Sequence, residues 1–242
     1  MRLYGLIGYP LSHSFSKKYF DEKFANEGIA DASFQNFSLD NISMLHEILT
    51  QKNLNGLAVT IPYKKSVIDF LYESTDAVKQ MGACNCIKIS NNKLSGFNTD
   101  VIGFEKSFIK QLKPHHTKAL ILGTGGAASA IEFVLQKLKI EHEFVSRKKV
   151  GTEFLYSELD QNIIDEYSII INASPIGTYP DINEAPAIPY EFITSKHYLF
   201  DLVYNPAETQ FLQYGKSKNA TIQNGLEMLE LQAEENWKIW NE

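Results

Sequence analysis

The segment Gly123-Thr124-Gly125-Gly126-Ala127-Ala128 has the composition of a phosphate-binding turn. It follows an apolar run at residues 119–122, which predicts a buried strand, and it precedes a predicted helix. Glycines let the backbone approach a pyrophosphate, and the first N–H groups of a helix are donors at the positive end of its dipole. The residues predicted to contact a dinucleotide are Gly123, Gly125, Gly126 and Ala127. The alternative is an ordinary glycine-rich turn.

A basic segment, Ser146-Arg147-Lys148-Lys149, ends the next predicted strand. A site for NAD places Asp or Glu at this position, on the ribose hydroxyl. Here the segment carries three cations and no acid, which favours the 2′-phosphate of NADP, with Arg147 and Lys148 as contacts. The alternative is a solvated basic turn.

Two further polar groups, Lys64 and Asp100, each follow a predicted strand, where ligand sites form in α/β proteins. A lysine and an aspartate brought together can move a proton, because the carboxylate orients the ammonium group. The alternative, a surface lysine and an aspartate that caps a helix starting at Val101, is equally compatible with the sequence.

The loop Gly8-Tyr9-Pro10-Leu11-Ser12-His13-Ser14-Phe15-Ser16 is rich in hydroxyl groups. It joins a predicted strand to a predicted helix. Its hydroxyls can bind a ligand, or they can simply cap the helix that follows.

Short apolar runs alternate with helical patterns in two blocks, as expected for α/β folds. In the first block, strands are predicted at 3–8, 32–37 and 57–60, with a hairpin over 85–97 that turns at Asn91-Asn92. Phe20, Phe24 and Ala25 mark one helical face, and residues 65–72 are predicted to be helical.

The second block opens after Pro114, and His115-His116 is predicted to be solvated there. Its strands are predicted at 119–122, 144–145, 169–171, 199–200 and 221–222, in a parallel, doubly wound sheet. The final helix spans 226–240 with an apolar face that requires a partner; its predicted members are Leu226, Leu229, Ala233 and Trp237, with Met228 and Trp240 beside them.

Composition excludes several classes of protein. The 242 residues are 44% apolar and 12% aromatic, so the chain is not disordered. The net charge of −6 and the lack of a long basic run argue against a nucleic-acid or membrane surface. No apolar run is long enough to span a membrane, and the N-terminus lacks the apolar core of a signal peptide, which predicts a cytoplasmic protein. Cys84 and Cys86 are predicted to be buried and reduced, and no metal site is expected.

The order of these motifs resembles the shikimate dehydrogenase family over almost the whole chain. On the substrate side the matching segments are 12–16, 59–64, 82–85 and 98–100. On the cofactor side they are 123–128, Arg147 and 172–177, followed by 201–206 and 224–232. Departures from the family pattern are Ser146 and Lys148 around Arg147, Tyr19-Phe20, the two cysteines around Asn85, and Thr178.

The resemblance implies an α/β substrate domain (residues 1–100, completed by a returning C-terminal helix, 226–242) and a Rossmann-type NADP domain (101–225). It implies Lys64 and Asp100 as the catalytic pair. The implied substrate contacts are Ser14, Ser16, Thr60, Asn85, Tyr204 and Gln232. The implied cofactor contacts include Ser174 and Gly225 besides the residues named above.

The implied reaction is the NADPH-dependent, reversible reduction of 3-dehydroshikimate to shikimate by a monomer or homodimer. Because Arg2 is the one arginine outside the cofactor block, hydroxyl groups rather than a guanidinium clamp would hold the substrate carboxylate. The alternatives are a broader quinate/shikimate dehydrogenase, a relative such as methylenetetrahydrofolate dehydrogenase, or a non-catalytic sensor that binds the same ligands.

Overall fold

The computed structural model describes residues 1–11, 14–149, 151 and 153–242. The chain divides into two compact units. The first comprises Met1–Ile102 and Gln232–Glu242, and the second comprises Gly103–Leu231. Ser12 and His13, which belong to the hydroxyl-rich loop, lie outside the described residues.

The first unit is built on a mixed sheet. Its strands are β1 (Arg2–Gly8), β2 (Ala32–Ser38), β3 (Leu54–Val59), β4 (Glu73–Ser74), β5 (Cys86–Ser90) and β6 (Lys93–Phe97). Its helices are α1 (Phe15–Asn26), α2 (Leu45–Ile48), α3 (Asp76–Met81) and the start of α4 (Asp100–Phe108), with 3-10 turns at Ile42–Met44 and Ser66–Phe70. The strand order is β2-β1-β3-β5-β6-β4, and β5 runs antiparallel to both of its neighbours.

Alternating side chains of the first sheet enter two separate cores, as the two-residue period of a strand requires. Leu3 and Ile7 of β1 pack with Leu45 and Val67 on one face. Tyr4 and Leu6 enter a core on the opposite face. Asn91 and Asn92 have φ of 51° and 59° in the β5–β6 turn, as the hairpin requires.

The C-terminal helix packs against this second face of the first sheet. Trp240 of α8 (Leu226–Asn241) stacks on Tyr4 with ring centroids 5.0 Å apart, and its Nε1 donates to the carbonyl of Ile87 at 3.0 Å. A Cβ on Gly56 would lie 2.3 Å from the Trp240 ring. The indole therefore rests directly on the backbone of β3, which explains the glycine.

The second unit contains a fully parallel sheet. Its strands are β7 (Lys118–Leu122), β8 (Glu141–Ser146), β9 (Phe154–Leu155), β10 (Ile169–Asn172), β11 (Tyr198–Asp201) and β12 (Thr221–Gln223). Its helices are the end of α4, then α5 (Gly126–Lys137), α6 (Gln161–Glu166), α7 (Gln210–Ser217) and the start of α8, with 3-10 turns at Ile109–Gln111, Tyr156–Glu158 and Tyr190–Phe192.

The strand order of this sheet is β9-β8-β7-β10-β11-β12. In chain order within the unit, this is 3-2-1-4-5-6, the doubly wound Rossmann arrangement, which reverses direction between β7 and β10. Ile169, Ile170 and Ile171 are completely buried, as expected where both faces of a parallel sheet are covered. The predicted α/β fold with a Rossmann-type sheet is confirmed.

Several predictions of local structure are wrong. The helical segment predicted at 65–72 is present but shorter, as a 3-10 helix at Ser66–Phe70. Ala25 and Leu226 are exposed, because the buried face of α1 is centred on Phe20 and Phe24, and Leu226 opens its helix at the surface. His116 is buried: it stacks on Tyr198 at 5.8 Å, and burial lowers its pKa.

Candidate functional site

Lys64 and Asp100 form an ion pair inside the first unit. Lys64 follows the turn after β3, where its carbonyl accepts a 2.7 Å hydrogen bond from the N–H of Cys84, and Asp100 opens α4. The Nζ–Oδ2 distance is 2.6 Å, and the two side chains are only 17% and 10% exposed. A largely buried lysine side chain that a carboxylate holds in place can donate or accept a proton at a defined position. The interpretation as a solvated surface lysine is therefore wrong.

The cysteines beside this pair are free and buried, as predicted. Cys84 Sγ contacts the carbonyl of Cys86 at 3.3 Å, and burial raises the pKa of the Cys84 thiol to about 11. Burial also raises the pKa of the Cys86 thiol, which makes both thiols poorer nucleophiles than an exposed cysteine.

Asn85, a predicted substrate contact, is held by Thr99. The Thr99 N–H donates to Asn85 Oδ1 at 2.6 Å, and Asn85 Nδ2 donates to Thr99 Oγ1 at 3.0 Å. Thr99 in turn contacts Asn236, which lies 3.4 Å from the predicted substrate contact Gln232. Thr99 and Asn236, which had no predicted role, therefore connect the predicted contacts Asn85 and Gln232, which are 147 positions apart in the sequence.

Three of the predicted hydroxyl contacts, Ser14, Ser16 and Thr60, belong to the segments that follow β1 and β3 along the chain. Ser14 is the N-cap of α1, and its side chain accepts the Lys17 N–H at 3.5 Å; Ser16 lies in the first turn of the same helix. Thr60 directly follows β3 and its N–H donates to the carbonyl of Ile7 at 2.9 Å. Capping and ligand binding are therefore both compatible with Ser14.

The glycine turn of the second unit lies between β7 and α5. Gly123 has φ of +109°, a value that favours glycine, and it faces the backbone of Ala173 and Ser174. Gly125 and Gly126 differ, because a Cβ on either would meet no atom within 4 Å. Neither their packing nor their backbone angles require glycine. The open space in front of the α5 N-terminus, where Ala127 follows, fits an incoming pyrophosphate.

Arg147 lines a cavity of about 490 Å³ at the end of β8. Leu155, Tyr156 and Ile176 supply apolar walls to this cavity. Lys149 is paired with Glu158 at 3.1 Å, whereas among the described residues no salt bridge involves Arg147 or Lys148. Of the predicted cations, Arg147 thus faces a space large enough for a nucleotide fragment.

Asn172 and Asp201 connect the loops after β10 and β11. Asn172 Oδ1 accepts from Ser174 N–H at 3.1 Å and from its hydroxyl at 2.7 Å. Asp201 Oδ1 accepts from the Val203 N–H at 3.0 Å, in the loop that carries Tyr204. The hydrogen bonds therefore fix the loops of two predicted contacts, Ser174 and Tyr204.

Gly225 follows β12, and its packing explains the glycine. Its N–H donates to the Val203 carbonyl at 3.3 Å, and a Cβ would lie 2.2 Å from the carbonyl oxygen of Leu202. Gly225 therefore approaches the loop that carries Tyr204.

Four polar residues that organise these sites had no role predicted from the sequence: Thr99, Asn172, Asp201 and Asn236. All four are buried. A signal was present for Asn236, which lies one helical turn after Gln232 on a mostly apolar face. A buried polar residue needs a hydrogen-bond partner, so such a position indicates a polar contact.

One unit has a Rossmann sheet with a glycine turn at its switch point, and the other is an α/β unit with a buried lysine–aspartate pair. These features define a two-unit protein of the dinucleotide-binding class. Residues 6–87 match the family model described as the shikimate dehydrogenase substrate binding domain. The chain is 36% identical to the shikimate dehydrogenase (NADP(+)) of Clostridium beijerinckii, over 100% of this chain and 93% of that protein. The chain belongs to the shikimate dehydrogenase family.

Solved structures agree with this membership. Shikimate dehydrogenase 1 from Peptoclostridium difficile is 34% identical and superposes with a TM-score of 0.86, covering 100% of this chain and 92% of that one. The shikimate 5-dehydrogenase of Thermus thermophilus, solved with NADP(H) and shikimate, is 26% identical with a TM-score of 0.87, covering 99% and 93%. Among the described residues, no helix is both long and apolar enough to cross a membrane.

Proposed function

We propose that the chain is an NADP-dependent oxidoreductase that interconverts 3-dehydroshikimate and shikimate. The observation that carries the proposal is the buried pair of Lys64 and Asp100, with Nζ and Oδ2 2.6 Å apart. Reduction of a carbonyl develops negative charge on its oxygen, and a positioned ammonium group both stabilises that charge and supplies the proton.

In the direction of reduction, Lys64 donates a proton from Nζ to the forming alkoxide, and in the reverse direction it accepts the hydroxyl proton. Asp100 orients the ammonium group and balances its charge. When bound, NADPH supplies the hydride that reduces the carbonyl carbon. Because a donor aimed at that oxygen acts mainly in the transition state, Lys64 contributes to turnover more than to affinity.

The cofactor proposal is supported by the open space in front of Gly125 and Gly126 and by the cavity beside Arg147. Gly123, Gly125, Gly126 and Ala127 would hold the pyrophosphate. Arg147 and Lys148 would bind the 2′-phosphate, Gly225 would lie near the nicotinamide, and Ser174 would be a further cofactor contact. The charge-assisted bond of a guanidinium to a phosphate favours NADP over NAD.

The substrate proposal keeps the hydroxyl and amide contacts: Ser14, Ser16, Thr60, Asn85, Tyr204 and Gln232. Hydroxyls both donate and accept, so they suit a polyhydroxylated ring and its carboxylate. Residues 1–100 and 226–242 form the substrate domain, and residues 101–225 form the cofactor domain. The division of the chain into two compact units supports these domains. The first unit comprises Met1–Ile102 and Gln232–Glu242, and the second comprises Gly103–Leu231.

The net charge of −6 supports the proposal that the protein does not bind nucleic acid. We propose that the protein is cytoplasmic and that it is a monomer or a homodimer.

The deciding experiment follows the absorbance of NADPH in the presence of the purified chain. Formation of NADPH from NADP and shikimate is the expected result, with slower turnover of quinate and of NAD. Comparable turnover of quinate would instead identify a broader quinate/shikimate dehydrogenase. Ligand binding without any turnover would identify a non-catalytic protein and reject the proposal.

A further inference from the structure

Asn236 occupies the centre of a buried polar chain in the first unit. It is 1% exposed, and the neighbouring Thr99 and Asn85 are 0% and 2% exposed. Its Oδ1 lies 2.7 Å from Thr99 Oγ1, and its Nδ2 lies 3.4 Å from Gln232 Oε1. Thr99 directly precedes Asp100 of the proposed catalytic pair.

The donors and acceptors of this chain have a defined direction. A backbone N–H can only donate, so the Thr99 N–H fixes Oδ1 of Asn85 as the atom that faces it, at 2.6 Å. Asn85 Nδ2 then donates to the Thr99 hydroxyl at 3.0 Å. The Thr99 hydroxyl has two acceptors within reach, Asn236 Oδ1 at 2.7 Å and Asn85 Oδ1 at 3.2 Å, and it donates to the nearer one, Asn236. Asn236 Nδ2 consequently points toward Gln232 and donates to its Oε1.

We infer that Asn236 is a positioning residue for the substrate, which it does not touch: it fixes the orientation of the Gln232 amide and ties it to Asn85 through Thr99. The inference rests on the proposed function, in which Gln232 and Asn85 contact shikimate.

The orientation of an amide decides what it offers to a ligand. A carboxamide that flips exchanges a carbonyl acceptor for an amino donor, and the two ends attract opposite partners. Because Gln232 Oε1 accepts from Asn236, the amino group Nε2 of Gln232 points away from Asn236. Among the described residues, Thr99 Oγ1 is the one acceptor within hydrogen-bond distance of Asn85 Nδ2, which leaves the second hydrogen of that amide available to a ligand. Asn85 can therefore present an N–H donor to the oxygens of a polyhydroxylated carboxylate, and the contact with Asn236 fixes which end of the Gln232 amide faces Asn236.

We expect the Asn236→Ala chain to fold. Alanine is the best helix former, and the Thr99 hydroxyl keeps its second acceptor, Asn85 Oδ1 at 3.2 Å, so no donor is stranded. Asn241→Ala is the matched control, since Asn241 lies on the same helix, and its side chain contacts Arg2 and the Trp237 carbonyl instead.

The test measures KM and kcat for shikimate in the full chain. We expect Asn236→Ala to raise the KM for shikimate roughly five- to twenty-fold, a size typical of coupled polar neighbours, with kcat within about three-fold of wild type and the KM for NADP unchanged. In a Gln232→Ala background the same substitution should change the KM for shikimate by less than about two-fold, because Asn236 acts through that amide. Asn236→Ser, with a short hydroxyl, serves as a second variant and should also raise KM.

A wild-type KM for shikimate in Asn236→Ala would overturn the inference, and so would an equal rise in Asn241→Ala. Fully additive effects of Asn236→Ala and Gln232→Ala would overturn it as well. A wild-type chain that does not turn over shikimate would overturn the proposed function, and with it this inference, so the two failures are distinguishable.

Discussion

Asn172 Nδ2 donates a 2.9 Å hydrogen bond to Asp201 Oδ1 across the neighbouring strands β10 and β11. The carboxylate also accepts from the Val203 N–H and from the Thr209 hydroxyl. Even so, burial dominates and raises the pKa of Asp201 from 3.8 to about 6. No cation among the described residues forms a salt bridge with Asp201. Burial, and to a smaller extent the charge of Asp201, raises the pKa of the neighbouring Tyr190.

This pKa makes the stability of the protein depend on pH. Between about pH 4 and pH 6 the unfolded chain has lost a proton that folded Asp201 still holds, so the free energy of unfolding falls as the pH rises through this window. Relative to Asp201→Asn, which does not titrate, the wild type should lose about 2 kcal/mol between pH 4.5 and pH 7. Urea unfolding at several pH values measures this difference, and a constant difference would contradict the prediction.

Lys64→Met should lower kcat by roughly 10²- to 10⁴-fold, because methionine keeps much of the apolar stem but has no proton to give. The KM for shikimate should change far less. Asp100→Asn should also lose activity, and the double variant should be little worse than Lys64→Met, because the two groups act as a unit. Lys65→Met, at an exposed neighbouring lysine, is the control. A kcat within ten-fold of wild type in Lys64→Met would assign the proton to another group.

Arg147→Ala should raise the KM for NADP about ten-fold or more and leave the KM for NAD nearly unchanged. The reason is a charge-assisted contact to the 2′-phosphate, worth roughly 1.5–3 kcal/mol. Lys196→Ala removes one positive charge from an exposed position of the same unit and should leave both KM values alone. Equal losses with both cofactors would refute the assignment of Arg147.

Gly126→Ala should weaken NADP binding without weakening the fold. A Cβ there meets no protein atom within 4 Å, and alanine favours helices by up to about 1 kcal/mol over glycine. Thermal unfolding should therefore show an equal or higher Tm, while the KM for NADP rises roughly ten-fold, or about 1.4 kcal/mol, because the methyl group occupies the space proposed for the pyrophosphate. Gln136→Ala, at the other end of α5, is the control. An unchanged KM would place the pyrophosphate elsewhere.

Gly56→Ala should have the opposite profile. Its Cβ would lie 2.3 Å from the Trp240 ring, so the helix or the strand must shift. We expect a loss of about 1–3 kcal/mol in the free energy of unfolding, the usual cost of overpacking. Because Gly126→Ala makes the same chemical change in open space, it is the matched comparison in denaturant unfolding. Equal stability of the two variants would mean that Trp240 does not rest on β3 as described.

The sequence by itself determined the features that depend on local patterns. Apolar runs bounded by turns predicted β7, β10 and β11. The alternation of strands with helices predicted a parallel, doubly wound sheet, and the family resemblance implied its Rossmann type. In α/β proteins, ligands bind at the carboxyl ends of the strands. Because Lys64 and Gly123 each follow a predicted strand, both were already candidate site residues. These inferences hold because period, turn chemistry and chain order are readable over short distances.

Only the tertiary structure decided which polar groups meet. Lys64 and Asp100 are 36 positions apart, and Thr99 and Asn236 are 137 apart. The contact between Thr99 and Asn236 depends on how α8 packs against the first sheet, where Trp240 lies on Gly56, and hydrophobic periodicity does not encode that close approach. Helical spacing alone also did not identify the residues of α8 that face inward. Leu226 was expected in the core but is exposed, whereas Asn236 was not expected there but is buried. A hydrogen bond between distant residues is set by side-chain packing in three dimensions, and that packing follows from the whole fold rather than from any one segment.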